Sequence, residues 1–240
     1  MKIINDVKFL IVGLGLIGGS YAQALTDLGY EVGAITRSQS SIDYALKNNL
    51  IAHGTTKVEK EYISKFDVIV FALYPKVLVK WIEENQSCFK KGALLTDVTG
   101  VKSPIVYKIQ DILRSDIEFV GAHPMAGKEV YGVENADKSI FRNANYIVTP
   151  TAKNTKEAID ECKQLGKILG FKTVAELSPE KHDEMWSELF LMNKTELLSQ
   201  MDLFMDKFKS LRDSIENDDR EKMKEIMRLS TKRRSLFDKK

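Results

Sequence analysis

From Lys8 to Ala175 the chain alternates short, mostly apolar runs with amphipathic stretches, and this alternation limits its fold more than any other feature. The apolar runs are Lys8–Val12 (KFLIV), Tyr30–Ile35, Asp67–Leu73 (DVIVFAL), Ala93–Asp97 (ALLTD), Ile117–Ala122, Tyr146–Thr149 and Phe171–Ala175. The spacing between them predicts helices over Leu16–Leu28, Ser41–Asn48, Val77–Asn85, Pro104–Leu113 and Thr155–Leu169, with Gly29 and Gly170 as stops. Strands that are apolar throughout must be covered on both faces, and parallel strands need long, usually helical crossovers. The expected class is therefore α/β, a mostly parallel sheet with helices on both faces.

Beyond Ala175 the pattern changes. Ser178-Pro179-Glu180 reads as a helix start, with Ser as cap, Pro in the first turn and an acid at the positive end of the dipole. Trp186, Phe190, Leu197, Met201, Phe204, Phe208, Leu211 and Ile215 then recur at helical spacing as one apolar stripe. Asn217-Asp218-Asp219 breaks it, and a second helix carries Met223, Ile226, Met227 and Leu229. The expected division is residues 1–177 and a short all-helical region, 178–240. That region is too thin to enclose its own core, so its stripe should pack on the first domain or on a second copy, and a homodimer is the expectation.

The charge balance, 36 basic against 34 acidic residues, gives no reason to expect nucleic acid or a membrane surface as partner. Cys88 and Cys162 stand apart, outside any CxxC or His/Cys cluster, so no metal site is suggested and a reducing compartment fits. With no signal-peptide pattern at the N-terminus and no apolar run of membrane-spanning length, a cytoplasmic location is expected.

Gly13-Leu14-Gly15-Leu16-Ile17-Gly18 matches GxGxxG between a strand and a helix, the context that gives this weak motif its meaning. Gly13 allows the tight turn, Gly15 lets the backbone approach a pyrophosphate, and Gly18 lets helix and strand lie close. The first-turn N–H groups, including those of Leu16 and Ile17, then face the phosphates. A Rossmann dinucleotide-binding domain is expected. The second strand ends in Ile35-Thr36-Arg37-Ser38, without the acid that NAD sites use to hold the ribose 2′-OH. Arg37 and Ser38 suit a 2′-phosphate, which favours NADP over NAD. A solvated surface role for Arg37 is the alternative.

Two segments at strand ends carry a specific resemblance: Thr96-Asp97-Val98-Thr99-Gly100-Val101-Lys102 and His123-Pro124-Met125-Ala126-Gly127, the latter followed by Gly132 and Phe141. Beside the glycine motif, they make the chain resemble the prephenate/arogenate dehydrogenases of tyrosine biosynthesis. The resemblance implies oxidative decarboxylation of prephenate or arogenate with hydride transfer to NAD or NADP. It places the catalytic histidine at His123, where an imidazole titrating near working pH would take the proton of the substrate hydroxyl. It also implies that Val98, Thr99 and Gly100 lie beside the nicotinamide ribose, that Leu73-Tyr74-Pro75 borders the cofactor, and that Thr99, Gly100, Lys102 and Gly127 face the substrate. Lys102 reads equally as an anchor for a substrate carboxylate or as a solvated first-turn lysine. His53 reads as a surface residue after a helix, and His182 as a first-turn helix residue.

The chain departs from that family in two places. The family commonly has Ser where Gly100 stands, so that hydroxyl is missing, and Thr99 or a water is left to replace it. Family members also carry further helices between the positions of Met185 and Trp186, with an arginine that grips a substrate carboxylate. The cations remaining near the site are Lys102, Lys128 and Arg142, with Arg228, Lys232, Arg233 and Arg234 on the C-terminal helices as a second source across a dimer. Two other readings follow: a dinucleotide-binding protein or sensor without turnover, and a Rossmann dehydrogenase for a different hydroxy acid.

Overall fold

The computed structural model describes residues 6–181, 187, 191 and 194–237. His182, Trp186 and Phe190, which the sequence reading placed on helices, lie outside the described residues. The chain divides into two compact units, Met1–Glu184 and Met185–Lys240.

The first unit is built on one eight-stranded sheet: β1 (Lys8–Val12), β2 (Glu31–Ile35), β3 (His53–Thr55), β4 (Val68–Phe71), β5 (Leu94–Asp97), β6 (Glu118–Pro124), β7 (Asn145–Thr149) and β8 (Thr173–Glu176). Their spatial order is β3-β2-β1-β4-β5-β6-β7-β8. The helices are α1 (Leu16–Asp27), α2 (Gln39–Lys47), α3 (Lys60–Ile63), α4 (Pro75–Asn85), α5 (Ser103–Ile112) and α6 (Lys156–Ile168). The sheet is parallel from β3 to β6, β7 runs antiparallel to β6, and β8 runs parallel to β7. The strand order reverses direction of travel at β1 and β4, the crevice where open α/β sheets bind ligands.

Both faces of the sheet are dry. Phe9, Ile11, Val32, Val68 and Val70 pack in one apolar layer with Tyr21 and Leu25 of α1. Leu10, Ile69, Phe71 and Leu95 point the other way, onto Leu78 and Ile82 of α4 and Val106 and Ile109 of α5. Alternate residues of one strand thus serve opposite cores, as period-two geometry requires. Each such side chain, fully buried, stabilises the fold by about 1.5–3 kcal/mol before entropy is counted.

Three features differ from the sequence reading. β3 and α3 carry no long apolar run and were not expected. His53 follows α2 with its side chain 39% exposed, and it also pairs in register with Gly33. Its ring bonds Tyr62 Oη at 3.0 Å and Glu31 Oε1 at 3.2 Å. The second difference is that β6 does not stop at Ala122. It continues through His123 and Pro124, because β7 returns beside it and pairs His123 with Ile147 and Pro124 with Tyr146. Thirdly, α2 and α4 begin two residues earlier than the apolar spacing suggested, at Gln39 and Pro75.

In the second unit α7 (Lys194–Glu216) and α8 (Arg220–Phe237) are joined at Asn217-Asp218-Asp219, with Asp218 at φ 53°. Along the expected stripe Met201, Phe204, Phe208 and Ile215 are all more than half exposed. Among the described residues no helix is long and apolar enough to cross a membrane.

Candidate active site

The carboxyl ends of β1, β4, β5 and β6 converge on one edge of the sheet. At β1 the chain turns into α1 through Gly13, whose φ of +101° is open to glycine without strain. A Cβ on Gly18 would stand 2.0 Å from the Gly13 carbonyl oxygen and 3.1 Å from Ala72 Cβ. The absent side chain therefore sets how closely α1 lies on β1 and β4. Gly15 is different: a Cβ there meets nothing within 4 Å. It caps α1 in an extended conformation, φ −117° and ψ −157°, with no side-chain hydrogen bond over the first turn. The N–H groups of Leu16, Ile17 and Gly18 in that turn have no partner within the helix, as at any helix start. An open backbone with free donors and a positive dipole end fits a dinucleotide pyrophosphate.

Asp97, at the last position of β5, lies at this edge, and the sequence alone assigns it no role. Its side chain is wholly buried, and so is that of Lys102, whose Nζ lies 2.8 Å from both carboxylate oxygens. Asp97 Oδ2 also accepts from Thr99 N at 2.9 Å and from the Thr99 hydroxyl. Asp97 Oδ1 accepts from Ala122 N at 3.1 Å. This overturns the solvated reading of Lys102, whose ammonium is buried against Asp97. The Thr99 hydroxyl gives its proton to Asp97 and keeps acceptor capacity for a further partner. An acid closing an otherwise apolar strand, five residues before a lysine, was the available signal, since a buried carboxylate needs a partner.

His123 stands half-buried at the end of β6. Gly100 lies against its ring: a Cβ on Gly100 would be 3.5 Å from Nε2 and 3.6 Å from Cε1. The structure thus places Gly100 one side chain's reach from the His123 ring, at the same sheet edge as the glycine turn. Beneath them runs a buried polar line in which Thr96 Oγ1 lies 3.7 Å and Tyr146 Oη 3.8 Å from Cys162 Sγ. Burial pushes the Cys162 thiol up to about 11, so it stays protonated and unreactive at neutral pH.

At the other end of the crevice Thr36 N donates to Thr55 O at 3.3 Å. Arg37 is exposed and has no ion-pair partner among the described residues. Ser38 caps α2, its Oγ accepting from Ser41 N at 3.2 Å and lying 2.7 Å from Ser40 Oγ. Leu73 is half-buried, Tyr74 is 78% exposed, and Val98 N donates to Phe71 O at 3.2 Å.

From Gly127, which is exposed, the chain crosses back over α1. Asp137 N donates to Ser20 Oγ at 2.9 Å, and Lys138 pairs with Asp27 at 2.5 Å. A Cβ on Gly19 would fall 2.7 Å from Ala136 Cβ, so that glycine serves this crossing and not the phosphates. Lys128, one of the cations left for the substrate, is 2.7 Å from Asp137 and holds that carboxyl well below the usual carboxylate range. Arg142 is exposed.

Comparison with known proteins gives a consistent result. A family model described as prephenate dehydrogenase, nucleotide-binding domain, matches residues 21–175, and one described as prephenate dehydrogenase, dimerization domain, matches residues 145–229. The prephenate dehydrogenase of Bacillus subtilis (strain 168) is 35% identical over 187 residues, 76% of this chain and 50% of that protein. That of Lactococcus lactis subsp. cremoris is 28% identical over 184 residues, 76% of this chain and 49% of that protein. The chain thus spans about half the length of these curated relatives. In fold it is similar to the crystal structure of Aquifex aeolicus prephenate dehydrogenase in complex with hydroxyphenyl propionate and NAD+. The TM-score is 0.70 at 24% identity, over 98% of this chain and 100% of that one. It is also similar to Synechocystis arogenate dehydrogenase, with a TM-score of 0.68 at 20% identity, over 96% and 100% of the two chains. Because the nucleotide-binding match alone runs from within α1 to β8, more than half of the sequence, the chain belongs to the prephenate dehydrogenase family.

Proposed function

We propose that this chain oxidises and decarboxylates prephenate or arogenate, with NAD+ or NADP+ held at the glycine turn and His123 as the acid–base group. The observation that carries the reading is the placement of Gly100 beside the His123 ring at the strand-end edge that also bears the open Gly15 turn. The Aquifex relative, crystallised with NAD+ and a phenol bearing a carboxylate side chain, supports the same class of ligands here. Bound nicotinamide supplies a hydride acceptor. The chain's own part is to hold the dinucleotide by the first-turn N–H groups of α1 and to receive the substrate's hydroxyl proton on the His123 imidazole. As the ring carbon gives up its hydride and its oxygen gives up the proton, the ring carboxylate leaves as carbon dioxide and the ring becomes aromatic. An imidazole, with an ordinary pKa of about 6.5, exchanges that proton at neutral pH with little penalty in either direction.

NADP is favoured by the exposed Arg37 and by the lack of an acid at the end of β2. The match to a dimerization domain and the exposed Met201, Phe204, Phe208 and Ile215 support a homodimer assembled through α7 and α8. A cytoplasmic enzyme acting on a small molecule fits this reading.

The test is the appearance of reduced-nicotinamide absorbance with prephenate and with arogenate, each with NAD+ and NADP+. Turnover in the parent chain and its loss in His123→Asn, with cofactor affinity kept, is the expected result. A folded, cofactor-binding chain that turns over neither substrate would refute the reading and leave a dinucleotide-binding protein without turnover.

A further inference from the structure

At the carboxyl end of β5 the sheet exchanges backbone pairing for an ion pair. The ladder between β5 and β6 runs from Leu94↔Glu118 to Thr96↔Val120 and stops. Two residues further along β6, the Ala122 N–H donates to Asp97 Oδ1 at 3.1 Å, and the Ala122 carbonyl accepts from Lys102 Nζ at 2.5 Å. The ion pair therefore takes the place of a missing strand neighbour on both polar groups of the residue before His123. The same carboxylate gathers Thr99 N and the Thr99 hydroxyl, which shapes the turn carrying Gly100 against the His123 ring. Both sides of the imidazole's seat, the strand behind it and the turn beside it, hang from one buried pair.

Such a pair contributes little net stability, because desolvating two charges offsets most of their attraction, and apolar residues of similar volume often do as well. Apolar residues could not bond the Ala122 N–H and carbonyl or bend the 97–102 turn. What the pair provides is direction. We propose that Asp97 and Lys102 are positioning residues for His123, fixing the imidazole against the Gly100 turn without touching substrate themselves. This rests on the reading of His123 as the acid–base group. Small misplacements of a reacting group are costly, about a hundredfold in rate for 1 Å.

The experiment compares the full chain with the double variant Asp97→Asn/Lys102→Met, which removes both charges and keeps the volume, and with His123→Asn. Three quantities are read: the NAD+ dissociation constant, kcat and KM with prephenate, and the nuclear magnetic resonance signal of the His123 imidazole, identified by its loss in His123→Asn. Expected is a cofactor affinity within about twofold of the parent, a kcat lower by about 10–100-fold with KM changed far less, and a shifted or split His123 signal. A folded double variant with parental kcat and an unmoved His123 signal overturns the proposal. So does a loss of kcat with an unmoved signal, since the pair would then act elsewhere. If the parent turns over neither prephenate nor arogenate, the activity reading fails, and the His123 signal still decides whether the pair positions the ring. Should the double variant not fold, Lys102→Met alone, in which Asp97 can take up a proton, gives the same comparison.

Discussion

Gly15 and Gly18 are three residues apart in one motif, and the geometry assigns them opposite costs. An alanine at Gly18 drives its Cβ to 2.0 Å from a backbone oxygen, Gly13 O, and 3.1 Å from Ala72 Cβ. Neither neighbour is the end of a flexible side chain, so α1 must move off the sheet. Overpacking of this kind costs about 1–3 kcal/mol, and a backbone clash belongs at the upper end. At about 2–4 °C per kcal/mol for a unit of this size, Gly18→Ala should lower the unfolding midpoint by roughly 6–12 °C. An alanine at Gly15 meets no atom within 4 Å, and its φ of −117° suits any residue. Its poorer capping, about 0.5–1 kcal/mol, is offset by a similar gain from a stiffer unfolded chain, so stability should stay within about 0.5 kcal/mol. The new methyl group nonetheless occupies the space through which phosphate oxygens reach the first-turn N–H groups. Losing one charge-assisted hydrogen bond is worth about 1.5–3 kcal/mol, so NAD+ affinity should fall about 10–100-fold. Thermal unfolding and cofactor titration of the two variants side by side check both numbers. A Gly15→Ala chain that binds NAD+ with parental affinity, or that loses as much stability as Gly18→Ala, would refute the placement of the pyrophosphate.

Three further outcomes are expected. Gly100→Ser fits in ordinary contact with the His123 ring and supplies the hydroxyl common in the family, so kcat should rise about 3–10-fold, the worth of one hydrogen bond; steady-state kinetics check it. Arg37→Ala should weaken NADP+ about tenfold or more and leave NAD+ within about twofold, measured by parallel titrations. Lys128→Ala should raise the Asp137 carboxyl toward its ordinary 3.8, as followed by carbon NMR of that side chain. Because the fold depresses this pKa, the pair's contribution is present above 3.8 and fades as pH falls below it; with both side chains more than a third exposed it should stay under about 1 kcal/mol, as denaturation at pH 7 and pH 3 would report.

The sheet was legible because its strands are apolar on both faces, and the run from β4 to β6 could hardly be anything else. β3 was not, because three residues of mixed polarity, His53-Gly54-Thr55, make a strand only through register with β2. The reversal of β7 left a usable trace: residues 125–144 show no helical period, and a parallel return would have needed a crossover helix. In the site, Gly13, Gly18 and His123 stood out because each belongs to a local motif. Lys102 misled because lysine is almost never buried unpaired, and its partner Asp97 looked like the mere end of an apolar run. Ser38 also starts α2, a capping role that residues 38–41 do not reveal without the helix boundary.

The two rims of the sheet bear on how the protein behaves in a crowded solution. A long bare rim strand invites neighbouring chains to add strand upon strand. Here one rim, β3, is three residues long, and the Tyr62 hydroxyl bonds the His53 carbonyl at 3.2 Å. The opposite rim, β8, has four residues ending in Glu176, which pairs with Lys163. Runaway fibre-like stacking therefore has little to template on at either rim so long as the first unit remains folded.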